Sequence, residues 1–391
     1  MIDVADTVRR ALVMRVAAVV PMLRDNAAAA ERARRVPEAS LDALSDAGVF
    51  RMMAPKNYGG DEATFETQCD VLAEIARGCP STSWVATIYS AMAWLASGFP
   101  DEAQEEVFAT DPRISGVFTP TGTAVRRDGG LVVNGRWGFN TGCHGARWTV
   151  LNAVLASDTA PGMPMCCLVP SRELTIVDDW YASGMAATGS NTILAENVFV
   201  PAHRALPLPE LVEAKYPTGR HNAANPYFNY PLAPVLVVNG GGTPLGIARG
   251  ALEAFFARLP GRGITYTSYT NQAAAAVTHL QVGEAALKIE SADAHVRRAA
   301  AILDSHPGGP MTIEARIKTR AHIGYATGLA REAVDTLFNA SGASAIQMHV
   351  PIQRLQRDMQ ALANHAIMHA QTATELYGRV LCGLEPNTLL Y

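Results

Sequence analysis

Apolar residues recur at helical spacing along the first hundred residues of the chain. The segment 5–34 is rich in alanine, arginine and valine, and its apolar positions follow a period near 3.6, which predicts a long amphipathic helix. Pro37 opens a second helix that Gly48 ends, because proline suits a first helical turn and glycine suits the residue after a last one. A further amphipathic run covers residues 64–76. We therefore predict that residues 1–111 form an N-terminal helical domain.

The period of the apolar positions falls to two between residues 112 and 208. A turn signal, Asp128-Gly129-Gly130, separates two alternating stretches, as in a β-hairpin. Further runs of strand character follow, namely WTVLNAVLA, MCCLVPS, LTIVDDW and TILAENVFV. A long series of strands joined by short turns predicts a central antiparallel β domain, built as a barrel or a sandwich.

Helical spacing returns in the C-terminal part, after a segment rich in proline, asparagine and tyrosine. Residues 209–234 are predicted to form a long loop, and loops of this length in compact enzymes often cover a site. The remainder, 235–391, contains four long helical runs: 243–258, 271–305, 312–341 and 349–381. Four such helices after a β domain predict an antiparallel four-helix bundle. The fold class is thus α+β, mostly α.

The composition and charge of the chain narrow the classes of function. Of its 391 residues, 49% are hydrophobic and 17% are charged, with a formal net charge of −4. No basic stripe could neutralise phosphates, so no nucleic acid is expected as a partner. No apolar stretch of about 20 residues could cross a membrane, and the N-terminus lacks a signal core. Six scattered cysteines without a CxxC pair suggest reduced thiols and a cytoplasmic protein.

Six strings, taken in their order along the chain, resemble segments of the acyl-CoA dehydrogenase superfamily. They are PEASLDALSDAGVFRMMAPKNYGG, GGLVVNGRWGFNTGCHGARW, GMAATGSNTI, LGIARGALEAF, PIQRLQRDMQALANHA and ELYGRVLCGLEPNTLLY. The helical, β, helical order of the chain is also the layout of that superfamily. The resemblance implies a flavin between the β domain and the bundle, and a homotetramer formed through the bundle. A surplus of apolar residues agrees with subunit contacts.

The superfamily contains dehydrogenases and flavin-dependent monooxygenases, and one position separates them here. A dehydrogenase needs a carboxylate to remove the α-proton of an acyl thioester. In the commonest pattern that glutamate lies nine positions after the arginine of an RD pair, but counting from Arg357 reaches Ala366. Its neighbour His365 stands where the oxygenase branch carries a functional histidine. The resemblance implies the oxygenase component of a two-component monooxygenase of group D, while a glutamate placed elsewhere in the fold would favour the dehydrogenase.

Membership of this branch implies a set of co-reactants. Reduced flavin, as FADH2 or in the FMN form, would come from a separate flavin reductase, and O2 would be the second substrate. A flavin C4a-hydroperoxide would form in a dry pocket. The expected reaction is hydroxylation of a small aromatic natural-product intermediate of phenolic, polyketide or indolic type. Two alternatives stay open: an amine N-hydroxylase or nitrososynthase, and an acyl-CoA dehydrogenase.

His365 is the candidate catalytic base. It lies seven residues after Asp358 and therefore roughly on the same face of a predicted helix. A positioned base typically contributes a factor of about 10²–10⁴ in rate. A histidine buried in the core of an alanine-rich helix is the alternative interpretation. His369 follows one turn later, but the HExxH frame and a third ligand are absent, so no metal is expected.

A glycine-rich string at the end of a predicted strand is expected to contact the flavin. The resemblance puts the hydroxyl of Thr141 beside flavin N5 as a second catalytic group, and Gly142 lets the main chain approach the ring. Trp137 and Phe139 alternate with a glycine and so share a face, where they could contact flavin or substrate. The alternative is that these residues form only the core of the β domain.

Two further groups are candidates for cofactor binding. Thr188, Ser190 and Asn191 form a polar cluster that could bind flavin carbonyls or phosphate through hydroxyl and main-chain N–H groups. The same cluster could be a turn that needs no ligand. Arg262 and Gln272 resemble positions that reach the flavin pyrophosphate across a subunit interface, where arginine suits a diphosphate. A surface arginine is the alternative.

The substrate is expected to contact His144, Trp84 and Tyr89. Together with residues 209–234, the aromatic N-terminal helices would form an apolar pocket for a flat ring. Three consecutive glycines, Gly240-Gly241-Gly242, lack the frame of a phosphate-binding loop, so close helix packing is expected there.

Overall fold

The computed structural model describes residues 4–156, 161–388 and 390–391. The N-terminal part is helical, as predicted from the spacing of apolar residues. Its five helices are α1 (Val4–Ala33), α2 (Glu38–Asp46), α3 (Phe65–Gly78), α4 (Pro80–Ala96) and α5 (Asp101–Phe108). Gly48 adopts φ +88 after α2, a conformation that costs other residues a steric clash. The hydroxyl of Thr64 accepts from the N–H of Thr67 and so caps α3.

A seven-stranded sheet follows the helices. The strands are β1 (Ile114–Arg127), β2 (Gly130–Trp137), β3 (Trp148–Leu155), β4 (Met163–Pro170), β5 (Thr175–Val177), β6 (Thr192–Pro201) and β7 (Ala205–Pro207). Their order is β5-β6-β2-β1-β3-β4-β7, and the predicted hairpin joins β1 to β2. Five of the pairings are antiparallel as predicted, but β1 and β3 run parallel. The described strands form one sheet, with β5 and β7 at its edges, and not two packed sheets.

The two faces of the sheet contribute to different cores. Because side chains alternate along a strand, Cys166 points into the core shared with the helices, while Cys167 points into a separate cluster on the other face. The same alternation separates Val150 from Leu151 on β3. The register between β1 and β3 shifts between Val117 and Gly122, which releases the intervening residues from the ladder. This irregularity faces the cavity described below.

The C-terminal part contains six of the seven remaining helices: α7 (Leu232–Gly240), α8 (Gly242–Arg258), α9 (Ala276–Asp304), α10 (Ile313–Ala340), α11 (Pro351–Ala363) and α12 (Ala370–Leu381). The first three long runs agree with the predicted helices. The predicted helix over 349–381 is instead two helices joined by a turn at 364–369, so this expectation was wrong. The turn buries Met368, whose sulfur lies 2.9 Å from where a Cβ on Gly240 would stand. Such a tertiary contact leaves no mark in the local pattern.

The segment 209–234 is largely irregular, as predicted, apart from α6 (Leu208–Val212) and the start of α7. It is anchored to the N-terminal helices: the indole N–H of Trp94 donates to the carbonyl of Tyr227 at 2.8 Å, and Arg220 donates to the carbonyl of Ser97 at 2.9 Å. The segment supplies only Ala233 to the cavity described below, so it braces the helices and does not cover the site.

One continuous hydrophobic core joins the N-terminal and C-terminal helices. The predicted close packing at the triple glycine is present: a Cβ on Gly242 would lie 2.3 Å from the carbonyl oxygen of Cys69. α3 and α8 therefore approach each other through their main chains. In the part of the chain that the structure describes, no helix is both long and apolar enough to cross a membrane.

Candidate active site

A cavity of about 660 Å³ lies between the helices and the sheet. Its wall is predominantly apolar, as expected of a site for a small organic ligand. Five segments and the C-terminal tail line it: α4 (Trp84, Thr87, Ile88, Ala91, Met92), the irregular part of β1 (Gly116–Pro120), the residues just after β2 (Gly138, Phe139), α7 (Ala233, Leu236, Val237), the turn after α11 (Asn364–Ile367), and Leu390.

His365 faces this cavity from the turn between α11 and α12. Its ring meets Trp84 edge-on, with 5.0 Å between ring centroids, and its ring nitrogens have no hydrogen-bond partner among the described residues. Part of the ring surface is accessible, but protein atoms beyond direct contact enclose the ring on all sides of the cavity. The accessible surface therefore faces the cavity and not bulk water. This enclosure disfavours the charged form and lowers the pKa of His365 to about 4. The imidazole is therefore neutral at neutral pH.

The sequence predicted that His365 and Asp358 share a helix face, and this prediction was wrong. The helix ends at Ala363, and the main-chain N–H of His365 donates to the carbonyl of Leu362 in the turn. His369 lies beyond the turn, where its Nδ1 accepts from the N–H of Thr372 and caps α12. The two histidines therefore occupy different structural elements and face different surroundings.

No carboxylate lines the cavity among the described residues. Ala366, nine positions after Arg357, faces it directly. Arg357 points away and contacts the carboxylate of Glu31 at 2.5 Å and the carbonyl of Ser183 at 2.6 Å. Asp358 is fully buried between α11 and the segment before β6, where it accepts from the N–H of Met185 at 2.6 Å. The RD pair thus holds the wall in place and offers no base to a ligand.

The predicted polar segments around Thr141 and Ser190 come together beside the cavity. The N–H of Gly142 donates to the carbonyl of Thr188 at 2.9 Å, and the N–H of Asn140 donates to the carbonyl of Asn191 at 3.1 Å. Gly142 adopts φ +75, and a Cβ there would lie 2.8 Å from the ring of Tyr89. Only glycine fits this position without strain.

Three hydroxyls form a hydrogen-bonded chain with a defined direction. Thr188 must donate to the carbonyl of Met185 at 2.8 Å, because a carbonyl cannot donate. Ser190 must then donate to Thr188 at 2.7 Å, and Thr141 must donate to Ser190 at 2.9 Å. Each hydroxyl has only one proton to give. The oxygen of Thr141 is therefore left as an acceptor for any further partner.

Trp137 and Phe139 do not share a face, so this expectation was wrong. Trp137 is buried in the core of the sheet, and its indole N–H donates to the carbonyl of Asn152 at 2.9 Å. Phe139 is 77% exposed, lines the cavity and meets Trp180 edge-on at 5.7 Å. β2 ends at Trp137 and the chain enters the left-handed region at Phe139, with φ +61, which breaks the alternation of the strand.

Of the three predicted substrate contacts, Trp84 lines the cavity, and Tyr89 and His144 do not. Tyr89 is buried and its hydroxyl donates to the carbonyl of Gly142, so Tyr89 supports the segment from behind. His144 is absent from the wall and its Nε2 contacts the amide of Asn191 at 2.8 Å. The oxygen of that amide accepts from the N–H groups of Asp179 and Trp180. Asn191 therefore fixes the segment around it.

Arg262 and Gln272 lie outside the cavity of this chain. Arg262 donates to the carbonyl of Ser341 at 2.8 Å, and Gln272 donates to the carbonyl of Ala340 at 2.7 Å. Both residues therefore fasten the segment between α8 and α9 to the end of α10.

Among the predicted flavin contacts, Thr141, Gly142, Thr188, Ser190 and Asn191 are not lining residues of the cavity. The wall and the segment around Thr141 together have the chemistry to hold a flavin ring. The Thr141 oxygen offers an acceptor, Phe139 offers an exposed aromatic face, and apolar walls enclose the space. Asn140, which the sequence did not single out, is fully buried with neither its amide nitrogen nor its amide oxygen paired. Buried amides without partners are rare and costly, so a partner is expected beside Thr141.

A surface group with metal-binding residue types consists of Glu102, Glu106 and His203. Arg204 already forms an ion pair with Glu106, and the ring of His203 contacts the same carboxylate at 3.2 Å. One carboxylate of the group is therefore already held by an arginine and a histidine ring. The group lies outside the cavity and has no part in the site.

Comparison with known proteins gives consistent matches over nearly the whole chain. Residues 4–110 match the model of the acyl-CoA dehydrogenase N-terminal domain, and residues 241–370 match that of the acyl-CoA dehydrogenase C-terminal domain. The oxygenase component of an FADH(2)-dependent resorcinol hydroxylase from Rhizobium sp. (strain MTP-10005) is 32% identical over 389 residues, covering 96% of this chain and 95% of that protein.

Two further similarities agree with the first. The oxygenase subunit HsaA of a flavin-dependent monooxygenase from Rhodococcus jostii (strain RHA1) is 32% identical and covers 95% of this chain and 98% of its own. Among solved structures, XiaF from Streptomyces sp. in complex with FADH2 and glycerol has a TM-score of 0.90 and 32% identity, and covers 98% of both chains.

Proposed function

Because this chain belongs to the acyl-CoA dehydrogenase family, and within it to the oxygenase components of two-component flavin-dependent monooxygenases, we propose that it hydroxylates a small aromatic compound with reduced flavin and dioxygen. The overall reaction balances as ArH + O2 + FADH2 → ArOH + H2O + FAD. One oxygen atom enters the ring and the other leaves as water. When bound, reduced flavin supplies the two electrons that activate dioxygen.

The observation that carries this proposal is the presence of His365 in a cavity without a carboxylate. An acyl-CoA dehydrogenase needs a carboxylate to remove a carbon-bound proton, and no described residue of the wall is a glutamate or an aspartate. Ala366 occupies the place where the commonest dehydrogenases carry that group. The wall therefore lacks the base for dehydrogenation but retains an imidazole that can accept a proton from a phenol or an indole.

The low pKa of His365 determines at which stage of the reaction its imidazole can accept the substrate proton. A phenol has a pKa of about 10, so proton transfer to an imidazole with a pKa of about 4 is unfavourable before oxygen transfer, by about 8 kcal/mol. Once oxygen has added to the ring carbon, the phenolic proton becomes strongly acidic and a weak base suffices. We therefore assign His365 two consecutive roles: it accepts a hydrogen bond that orients the phenol, and it then takes the phenolic proton from the oxygenated ring, which becomes a neutral dienone. Aromaticity returns when the oxygenated carbon loses its hydrogen and the carbonyl oxygen is protonated again.

The hydroxyl chain supports the use of reduced flavin. The proton of Thr141 is directed to Ser190, so the Thr141 oxygen can accept a hydrogen bond from an N–H group. Reduced flavin carries an N–H at N5, whereas the N5 of oxidised flavin is only an acceptor. Thr141, Gly142 and Phe139 would hold the flavin ring against the cavity, and the apolar wall would keep bulk water from it.

A separate reductase and a homotetramer complete the proposal. The XiaF complex with FADH2 supports FAD as the preferred flavin, which a reductase would deliver in reduced form. α9 exposes Val277, Leu280 and Leu287 at 46%, 74% and 65%, at spacings that put them on one side of the helix. This apolar side is suited to a contact with another copy of the chain, which would bring Arg262 and Gln272 towards a neighbouring flavin.

A single-turnover experiment tests the proposal. Protein loaded with chemically reduced FAD under nitrogen is mixed with a phenol and buffer that contains ¹⁸O2, and the products are analysed by mass spectrometry. One ¹⁸O atom per product molecule is expected, together with oxidised FAD in equal amount. Hydrogen peroxide as the only oxygen product, with phenols and indoles alike, would contradict the hydroxylase. Bleaching of bound oxidised flavin by an acyl-CoA thioester would favour the dehydrogenase.

A further inference from the structure

The described residues that line the cavity carry no formal charge at neutral pH. Its described lining contains no lysine, arginine, aspartate or glutamate. Four lining side chains are polar, namely Thr87, Thr119, Asn364 and His365. The imidazole of His365 is neutral, because its enclosure disfavours protonation. A ligand in the cavity therefore meets dipoles and apolar surface, but no opposite charge.

Few of the polar groups of the wall are free to bind a ligand. The hydroxyl of Thr87 already donates to the carbonyl of Ser83 at 2.9 Å, and the amide nitrogen of Asn364 donates to the carbonyl of Gln360 at 3.0 Å. Three groups remain: the imidazole of His365 and the amide oxygen of Asn364, which come from the same turn, and the hydroxyl of Thr119 on β1. These groups suit one hydroxyl or N–H on a ring. The other side of the wall, with Ile88, Met92 and Leu236, suits the ring itself.

One arginine, Arg320, lies behind this turn and does not supply the missing charge. Its guanidinium donates to the carbonyl of Ala366 at 3.2 Å and to the carbonyl of Leu390, both of which belong to residues of the wall. The side chain lines a neighbouring cavity of about 370 Å³ on the far side of the turn. Arg320 therefore fixes the turn and the tail from outside, with its terminal nitrogens already committed to main-chain oxygens.

A carboxylate in such a cavity would be poorly solvated and unpaired. Transfer of an ion from water into a low-dielectric site is strongly unfavourable unless an opposite charge and hydrogen bonds compensate for it. A neutral group of the same size loses far less hydration and can still use the imidazole. The wall therefore discriminates between ligands of similar shape by their charge.

We propose that the substrate is an uncharged aromatic compound with a hydroxyl or an indole N–H, and that the wall rejects aryl acids of the same size. This inference rests on the hydroxylase function proposed above and narrows its substrate class. It also excludes substrates whose recognition needs a cation, such as nucleotide sugars and coenzyme A thioesters.

The test compares two compounds that differ in charge and little else, 4-hydroxyphenylacetate and its amide, 4-hydroxyphenylacetamide. Each is supplied at pH 7 to the protein with a flavin reductase and FAD, and the hydroxylated product is quantified. We expect kcat/KM for the amide to exceed that for the acid about 100-fold or more, because an unpaired buried carboxylate is not compensated in the wall. Binding of each compound to the protein with reduced FAD is measured in parallel under nitrogen.

A variant with a cation in the wall should reverse the preference. In Leu236→Arg the guanidinium can pair with the carboxylate, so the acid should become the better ligand by at least about tenfold. Leu236→Met is the matched control, since it changes the side chain without adding charge, and it should still prefer the amide. Thermal melting and FAD binding of both variants establish that they are folded.

The outcomes separate this inference from the function on which it rests. If the wild-type protein hydroxylates the acid as well as the amide, the charge discrimination is refuted while the hydroxylase function stands. If no aromatic compound is hydroxylated, the proposed function fails, and the binding measurements then decide the inference: equal or tighter binding of the acid overturns it. Preferential binding of the amide, reversed in Leu236→Arg, supports it.

Discussion

The carboxylate of Asp358 accepts a hydrogen bond of 2.6 Å from the main-chain N–H of Met185, although 173 residues separate them in the chain. Met185 adopts φ +53, and its carbonyl accepts from the hydroxyl of Thr188. This contact thus connects α11 to the hydroxyl chain that ends at Thr141. The helix that precedes the His365 turn and the segment assigned to flavin binding are held by one buried carboxyl group.

Replacement of Asp358 by alanine should weaken both the fold around α11 and the binding of FAD by the segment around Thr141. The variant Asp358→Ala leaves the N–H of Met185 buried without a partner, which costs at least about 1–3 kcal/mol of unfolding free energy. Burial raises the pKa of Asp358 to about 7, so a neutral side chain is tolerated there. Asp358→Asn keeps the acceptor oxygen and should stay close to wild type in denaturant unfolding and in FAD affinity. Equal losses in both variants would mean that the charge, and not the hydrogen bond, matters.

Thr141 should affect the affinity for reduced flavin. Thr141→Val removes the hydroxyl with little change in shape, and Thr141→Ser retains it. Loss of one hydrogen bond of about 0.5–1.5 kcal/mol predicts about two- to tenfold weaker binding of reduced FAD in the valine variant. Fluorescence titration under nitrogen measures this affinity. The serine variant should bind like wild type, and an equal loss in both variants would argue against a role for the hydroxyl.

Removal of the imidazole of His365 should uncouple flavin oxidation from product formation. In His365→Ala the reduced flavin should still bind and react with oxygen, but hydroxylated product should fall by about 10²–10⁴ as hydrogen peroxide replaces it. Product and peroxide are quantified per FAD oxidised. His369→Ala is the control, since His369 caps α12 outside this cavity, and it should retain the wild-type ratio. Unchanged turnover in His365→Ala would remove this residue from the reaction.

The acid limb of the activity profile should report on the same group. The pKa of His365 in the folded protein is lowered to about 4, below its usual value, so the neutral form persists from alkaline pH down to about pH 5. Product formation in single turnovers should therefore stay level over that range and fall as pH approaches 4, because a protonated imidazole cannot accept a proton. An acid limb centred near pH 6.5 would contradict this enclosure of the ring.

The exposed apolar side of α9 should be required for assembly. In a double variant, Leu280→Glu with Leu287→Glu, two carboxylates would be buried at the proposed subunit contact, and the tetramer should dissociate. Analytical ultracentrifugation measures the mass in solution. Met14→Glu is the matched control, since Met14 is 72% exposed on α1, and it should leave the assembly intact. A tetramer that persists in the double variant would assign the contact to another surface.

Periodic patterns predicted the fold well, because periodicity reports directly on which side chains are buried. The spacing of apolar residues gave the helices at 5–34 and 243–258, and alternation gave the strands of the sheet. The hydroxyl of Thr141 and the cluster at Thr188 and Ser190 were also identified from sequence, since the resemblance covers these strings. The structure brings these hydroxyls together at 2.7–2.9 Å, and their role in flavin binding stays a prediction.

Predictions from local sequence patterns were wrong where a contact with a distant segment outweighs the local conformational preference. Phe139 turns to the cavity because the chain enters the left-handed region after β2, whereas an unbroken strand would have put it beside Trp137. His365 lies in a turn because Met368 is buried against α7. Asn140, Asn364 and Leu390 were not singled out, since nothing in their own neighbourhood marks them as part of a site.

The sequence by itself determined the family, the helical and β regions, and the replacement of a carboxylate by Ala366 and His365, because each depends on residue identity at fixed spacing. The tertiary structure alone decided which of these residues meet: the burial of Asp358 against Met185, the enclosure that keeps His365 neutral, and the absence of charge from the described wall. Charge and solvation depend on what surrounds a group in space, and neighbours in space are set by packing between distant segments.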